Sequence, residues 1–206
     1  KEIKKYKDSN KPLVAFFYAV AASGGYYIAA PADKIIATPE TITGSIGVIW
    51  QYPNYSGLMN KLGLQMTTIK SGKQKDMLSP YKPPDPEDEK IIQSLISESY
   101  ATFVDVISDG RKLDRNYVRE IADGRIYSTK QALNNKLIDE IGYFEDAVKL
   151  ARKLAKSENA SPVDMEIKQS YPNLLMREFK VNRFMNFLNF FFSSGPYCIE
   201  PSLVYK

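Results

Sequence analysis

The chain has 206 residues, 44% of them apolar, which is enough to bury a sizeable core in one domain with an appendage. Its formal net charge of +4 comes from basic and acidic residues that alternate and form no basic stripe, so nucleic-acid binding has little support. Histidine is absent and Cys198 is the single cysteine, which excludes an intrachain disulfide, a Ser-His-Asp triad, a Cys-His dyad and the usual zinc sites.

In chain order, Lys1-Glu2-Ile3-Lys4-Lys5-Tyr6 reads as the end of an amphipathic helix, with no initiator methionine and no signal-peptide pattern. This is the expected look of a piece of a longer protein. After a turn at Asp8-Ser9-Asn10, the apolar run Leu13–Tyr18 reads as a buried strand, too short for a helix. Ala21-Ala22-Ser23-Gly24-Gly25-Tyr26-Tyr27 follows and reads as a tight turn into a short helix, Tyr26–Ala30, closed by Pro31. Glycines after a serine let the backbone turn sharply, leave the hydroxyl unobstructed and free N–H groups for a developing oxyanion. This is the logic of a nucleophile elbow without the G-x-S-x-G spelling. On its own the heptapeptide reads more readily as an ordinary turn of small residues. The uncharged stretch Pro12–Ala32 has the length of a membrane span, but Ser23-Gly24-Gly25 breaks it into a core strand and a short helix. The chain is therefore expected to be soluble, at most membrane-associated.

Asp33–Thr38 reads as a second strand ended by Pro39, and Thr43–Ile49 as a glycine-punctuated turn running into another strand. Asn54 is the expected cap of a helix Tyr55–Leu62 with Gly63 as its stop, and Leu64–Lys70 alternates like a strand. A polar, proline-rich loop spans Ser71–Asp85. Asp85 then caps a long helix with Pro86 at its first position and an apolar stripe through Ile92, Leu95, Phe103 and Val104, expected to stop at Gly110. A capped helix Asp114–Ala122, an extended Arg125-Ile126-Tyr127, a capping box at Ser128–Gln131, a short strand in Leu137–Ile141 and a helix Phe144–Ala155 complete the series. Repeated strand–helix alternation predicts an α/β domain with a largely parallel sheet. Beyond a linker near Ser157–Ser161 the texture changes. Val163–Lys168 reads as an edge strand, and the basic, aromatic stretch from Asn173 carries a helical stripe (Leu174, Phe179, Phe184, Phe187, Phe191) expected to pack against protein. The expected division is a core over 1–156 and an extension over 157–206.

Without histidine, an activated serine needs a lysine base whose ordinary value near ~10.4 is depressed by its surroundings. Lys70-Ser71-Gly72-Lys73-Gln74-Lys75 lies where a strand gives out into a glycine-bearing loop, and spacing leaves Lys70, Lys73 and Lys75 all open.

The ordered series Ala21–Tyr27, Ala32-Asp33-Lys34-Ile35, Ala37–Thr41, Thr43–Val48, Lys70–Asp76, Asp123–Tyr127 and Leu137–Gly142 resembles the signal peptide peptidase A (protease IV) family from about Pro12 to Leu150. The resemblance implies a serine protease with a Ser-Lys dyad on a crotonase/ClpP-like α/β fold, working without a cofactor. By position it makes Ser23 the nucleophile, Lys75 the general base, Ser45 the hydroxyl that positions the lysine amine, and Gly24 an oxyanion donor. Lys73 falls at a variable position. It further implies ring or dome homo-oligomers with active sites near subunit interfaces. Their substrates are remnant signal peptides and other apolar peptides at the cell membrane, with the protease domain on the extracytoplasmic side. A glycine-rich turn giving a second oxyanion donor and an N-terminal membrane anchor are expected upstream of Lys1, and a molecule beginning at Lys1 is expected to fold poorly with a crippled oxyanion hole. Rival readings are a phage-type head-maturation protease, a crotonase-like acyl-CoA enzyme and a non-catalytic assembly subunit.

Overall fold

A computed structural model of the chain describes residues 2–163. The expected strand at Val163–Lys168 and the aromatic stretch beyond it lie outside the described residues, apart from Val163. Among the described residues, short runs of two to four residues build six strands, β1 (Val14–Phe17), β2 (Val20–Ala22), β3 (Lys34–Ala37), β4 (Ile42–Gly44), β5 (Ile126–Ser128) and β6 (Glu140–Ile141). Seven helices separate or flank them: α1 (Glu2–Asp8), α2 (Gly24–Ala29), α3 (Ser56–Lys61), α4 (Pro86–Arg111), α5 (Arg115–Ile121), α6 (Thr129–Asn134) and α7 (Phe144–Leu154).

The strands form two three-stranded sheets, ordered β1-β3-β6 and β2-β4-β5. All pairs are parallel except β4 with β5. Thus β1 and β2, consecutive in the chain, lie in different sheets, and β3 and β4 repeat the step one unit later. Threonine hydroxyls hold the corner between the sheets. Thr38 Oγ1 donates to the Tyr18 carbonyl at 2.7 Å and Thr41 Oγ1 to the Phe17 carbonyl at 3.0 Å. From the start of α6, Thr129 Oγ1 reaches the Thr38 and Thr41 carbonyls at 2.8 and 3.0 Å. All three threonines are buried, so these bonds give their hydroxyls partners inside the fold.

The α/β class and the parallel strands match the sequence reading. Several local expectations do not. The strand expected after Gly44 instead ends at it, as β4, because Thr43 pairs with Ala21 and Tyr127 on either side. The alternating run Leu64–Lys70 forms no strand: no neighbouring strand pairs with it, and all its residues are exposed. Gly110 does not end α4, which continues to Arg111 before Lys112 turns left-handed at φ 54°. Its role is a close approach, since a Cβ there would lie 2.4 Å from the Ala30 carbonyl oxygen. Asn54 acts one residue outside the cap, where its Oδ1 accepts from the Ser56 N–H at 3.1 Å and Tyr55 takes the cap position of α3.

The core lies between the sheets and α4. Tyr26, Ile35, Ile46, Val104, Ile107, Val118 and Leu137 are fully buried there. Burial of such side chains contributes roughly 1.5–3 kcal/mol each against exposure. Among the described residues, no helix is long and apolar enough to cross a membrane.

Candidate active site

The parallel strands β2 and β4 run in register, Ala22 opposite Gly44, so the residues that follow them, Ser23 and Ser45, emerge side by side at the C-terminal ends of two neighbouring strands. That is where open α/β sheets place their chemistry. The Ser23 N–H donates to the Gly44 carbonyl at 2.8 Å, and the Ser45 N–H to the Arg125 carbonyl at 2.8 Å. Both serines are forced into positive φ, Ser23 at φ 51° and ψ −117° and Ser45 at φ 49°. Such backbone costs about 1–3 kcal/mol and persists where surrounding structure imposes it. Here the imposing elements are the β2–β4 pairing on one side and α2 on the other, with the Tyr27 N–H donating to the Ser23 carbonyl at 2.9 Å.

The glycines around this turn serve two purposes. A Cβ at Gly24 or Gly25 would meet no atom within 4 Å, so packing does not demand glycine there, and its absence keeps the approach to Ser23 open. Gly44 is the opposite case: at φ +81° a Cβ would lie 2.5 Å from Tyr127 Cδ2 and 3.0 Å from the Arg125 carbonyl oxygen. Beneath the turn, buried Tyr26 anchors α2 by donating its hydroxyl to the Leu137 carbonyl at 2.8 Å. Burial is the main cause that pushes the Tyr26 phenol well above its usual range, so it stays a neutral donor.

The lysine segment is more than a loop. Lys73–Asp76 forms one 3-10 turn. Lys70 Nζ lies 2.6 Å from Asp76 Oδ1 and Lys73 pairs with Glu87. Its hydrogen bond to Glu87 holds the Lys73 ammonium above its usual range. Lys75 is exposed and, among the described residues, its Nζ makes neither a hydrogen bond nor an ion pair. The structure thus separates three lysines that spacing could not: two are committed to carboxylates and one is not.

The structure brings Ser23, Gly24 and Ser45 together. Among the described residues, no hydrogen bond joins Lys75 Nζ to either serine hydroxyl. A cleft of about 450 Å³ lined by Tyr18, Val20, Thr38, Glu40, Ile42 and Tyr143 opens beside β2, upstream of Ser23. What sequence reasoning missed is the pairing partner Arg125, whose carbonyl fixes Ser45. The signal was the glycine at 124, which reaches φ +89° just before β5.

Residues 5–158 match the sequence profile of peptidase family S49. A protein of Enterococcus faecium provisionally named signal peptide peptidase SppA is 49% identical over 164 residues, 80% of this chain and 48% of that protein. The Arabidopsis thaliana protein named serine protease SPPA, chloroplastic, is 34% identical over 156 residues, 75% of this chain and 23% of that protein. The chain spans about half the length of the first relative and about a quarter of the second. Among solved structures, an enoyl-CoA hydratase/isomerase family protein from Silicibacter pomeroyi is similar over 71% of this chain and 44% of its own, with a TM-score of 0.39 and 19% identity.

Proposed function

The chain belongs to peptidase family S49, its strand–strand–helix units making the crotonase/ClpP-like α/β fold, and from that premise we propose that it is a serine endopeptidase with a Ser23–Lys75 dyad. The observation that carries the reading is the strained turn at Ser23, held at φ 51° at a parallel strand end with open space over Gly24 and Gly25. Lys112, at φ 54° and ψ 43°, is an ordinary left-handed turn, whereas the ψ of −117° at Ser23 lies outside that region, a conformation that a turn needed only for chain reversal does not require of a Cβ-bearing residue. Lys75 is the favoured base because Lys70 and Lys73 are engaged by carboxylate partners, whereas Lys75 has none among the described residues.

In this mechanism neutral Lys75 takes the Ser23 proton as Oγ attacks the peptide carbonyl, forming the acyl-oxygen bond. The Gly24 N–H donates to the oxyanion. The lysinium gives its proton to the leaving amine as the C–N bond breaks, and a water deprotonated by Lys75 then releases the acyl group. Ser45, at the adjoining strand end, positions the amine with its hydroxyl.

The active form is a homo-oligomer with active sites near subunit interfaces. No residue between Ile46 and Asp88 is buried, and this arm exposes Ile49, Trp50, Leu58, Leu62, Met66 and Ile69. Exposed apolar side chains in this number on one arm favour an interaction site. Association of copies covers the arm and brings a Lys75 to a Ser23. The substrates are remnant signal peptides or other apolar peptides at the membrane, on its extracytoplasmic side. The name of the Enterococcus faecium relative supports the signal-peptide part of this reading.

The test is covalent labelling by an activated fluorophosphonate, together with hydrolysis of an apolar peptide ester. Ser23→Ala and Lys75→Ala are each expected to lower kcat/KM at least ~10³-fold while leaving the fold intact. Full activity in Ser23→Ala would sink the proposal, and coenzyme-A binding without labelling would favour an acyl-CoA enzyme.

A further inference from the structure

The turn that carries Lys75 is tied to the start of α4 by a network of matched charges. Lys70 Nζ donates to Asp76 Oδ1 at 2.6 Å and to the Lys73 carbonyl at 2.9 Å. Lys73 pairs with Glu87 in the first turn of α4. Lys82 spans the gap between the two elements, 2.8 Å from Asp88 Oδ2 and 3.4 Å from Asp76 Oδ1. Asp88 is 1% exposed, and the same Oδ2 accepts the Leu78 N–H at 3.2 Å. Its other oxygen is buried with no partner among the described residues, so Asp88 depends on Lys82 and that one amide. Asp85 is engaged as the helix cap, accepting the Glu87 N–H at 2.9 Å.

Lys75 therefore sits among Lys70, Lys73 and Asp76 on its own segment, Lys82 beyond it, and Asp85, Glu87, Asp88 and Glu89 at the start of α4. Asp76 is next to Lys75 in the chain, and both its ion-pair partners, Lys70 and Lys82, come from outside the 3-10 turn. If either partner is lost, Asp76 is left with charge that the neighbouring Lys75 amine can neutralise.

We propose that Lys82 is a positioning residue for the general base: by neutralising Asp76 and Asp88 together it keeps Asp76 from capturing the Lys75 amine and pins the turn to α4. The inference rests on the reading of Lys75 as that base. A buried carboxylate left without its cation destabilises its site, and a lysine captured by a carboxylate keeps its proton to higher pH. Lys82 thus acts on both the place and the protonation of Lys75 without touching substrate. Consistent with this, the Lys82 hydrogen bond is the main cause that holds the Asp88 carboxyl below its usual range.

The experiment follows the rate of fluorophosphonate labelling at Ser23 against pH, in the full chain, for wild type, Lys82→Met, Lys82→Arg, Asp76→Asn and Lys75→Ala. The acid limb of the wild-type profile reports loss of a proton from the base. In Lys82→Met it is expected to move up by about one pH unit, so that labelling below the limb is about tenfold slower. Lys82→Arg restores the wild-type limb. Asp76→Asn moves it down, because Lys70 and Lys82 are then uncompensated. A Lys82→Met protein that labels with an unmoved limb, whatever its absolute rate, overturns the inference. If circular dichroism shows that Lys82→Met does not fold, Asp76→Asn decides alone, and a limb unmoved or raised overturns it. Lys75→Ala separates the two levels: wild-type labelling in that variant defeats the dyad itself, whereas no labelling there with an unmoved Lys82→Met limb defeats only the role of Lys82.

Discussion

Ser23 carries a backbone conformation, φ 51° and ψ −117°, that glycine adopts without penalty and an L-residue does not. The chain holds a side chain there at a cost to stability, so removing that side chain makes the cost measurable. Ser23→Gly is expected to be more stable than Ser23→Ala by about 1 kcal/mol in urea unfolding, although both are inactive. An alanine variant as stable as the glycine variant would mean that no strain is stored at this residue. The tight turn at the serine was legible in the sequence, because a lone hydroxyl before two glycines after an apolar strand is a local pattern, although that pattern alone reads more readily as an ordinary turn. Its φ was not, since the constraint comes from Gly44 of a neighbouring strand. The choice among Lys70, Lys73 and Lys75 was likewise not legible from spacing. What separates them is pairing, and the Lys73 partner, Glu87, is brought over by the fold from the start of α4.

At the scale of elements, capped helices were readable because their signals are local. Asp85, Asp114 and Ser128 each accept from a first-turn N–H as their positions suggest. Strands were less so, because a strand exists only with a partner. Leu64–Lys70 has the alternation and no partner, whereas Val20–Ala22 is a three-residue strand with no local mark that separates it from β1. What joins these elements is a polar bolt at Asp139. Its Oδ2 accepts the Ile35 N–H at 2.8 Å and Arg111 at 2.7 Å, and its Oδ1 accepts Lys34 at 3.0 Å, linking β3, the end of α4 and the approach to β6. Burial pushes this carboxyl up, but the Ile35 amide, Lys34 and Arg111 together outweigh it and hold it below its usual range. The folded carboxyl then releases its proton more readily than the unfolded one. Its contribution is present above the ordinary carboxylate range near ~4 and is lost as pH falls below it. In urea unfolding, wild type is expected to lose stability on acidification through that window. Asp139→Asn should be less stable at neutral pH yet lose less on the way down, and an equal acid loss in both proteins would discount the bolt.

At the scale of the molecule, the described chain divides between a part that packs and a part that does not. Buried residues occur up to Ile46 and again from Asp88, and the arm between them contributes none. Its helix α3 buries no residue, and Ile69 is 98% exposed. Alternation of strands and helices made the packed part legible as α/β, because its core is written in local apolar runs. Of the two elements expected in the arm, the helix forms as α3 and the strand Leu64–Lys70 does not, since apolar residues left exposed have the same composition as those meant for the interior. Lys75 lies on this exposed stretch and Ser23 on the packed part, so assembly and catalysis are expected to fail together. The double variant Leu62→Asp, Ile69→Asp places two charges on the arm without touching any buried side chain, and surface changes of this kind usually alter stability by less than about 0.5 kcal/mol. The expected result is a shift to smaller species in sedimentation velocity and at least a ~10-fold loss of peptide-ester hydrolysis, with the urea midpoint nearly unchanged. Retention of the wild-type assembly together with full activity would show that the arm is not the contact through which the dyad is completed.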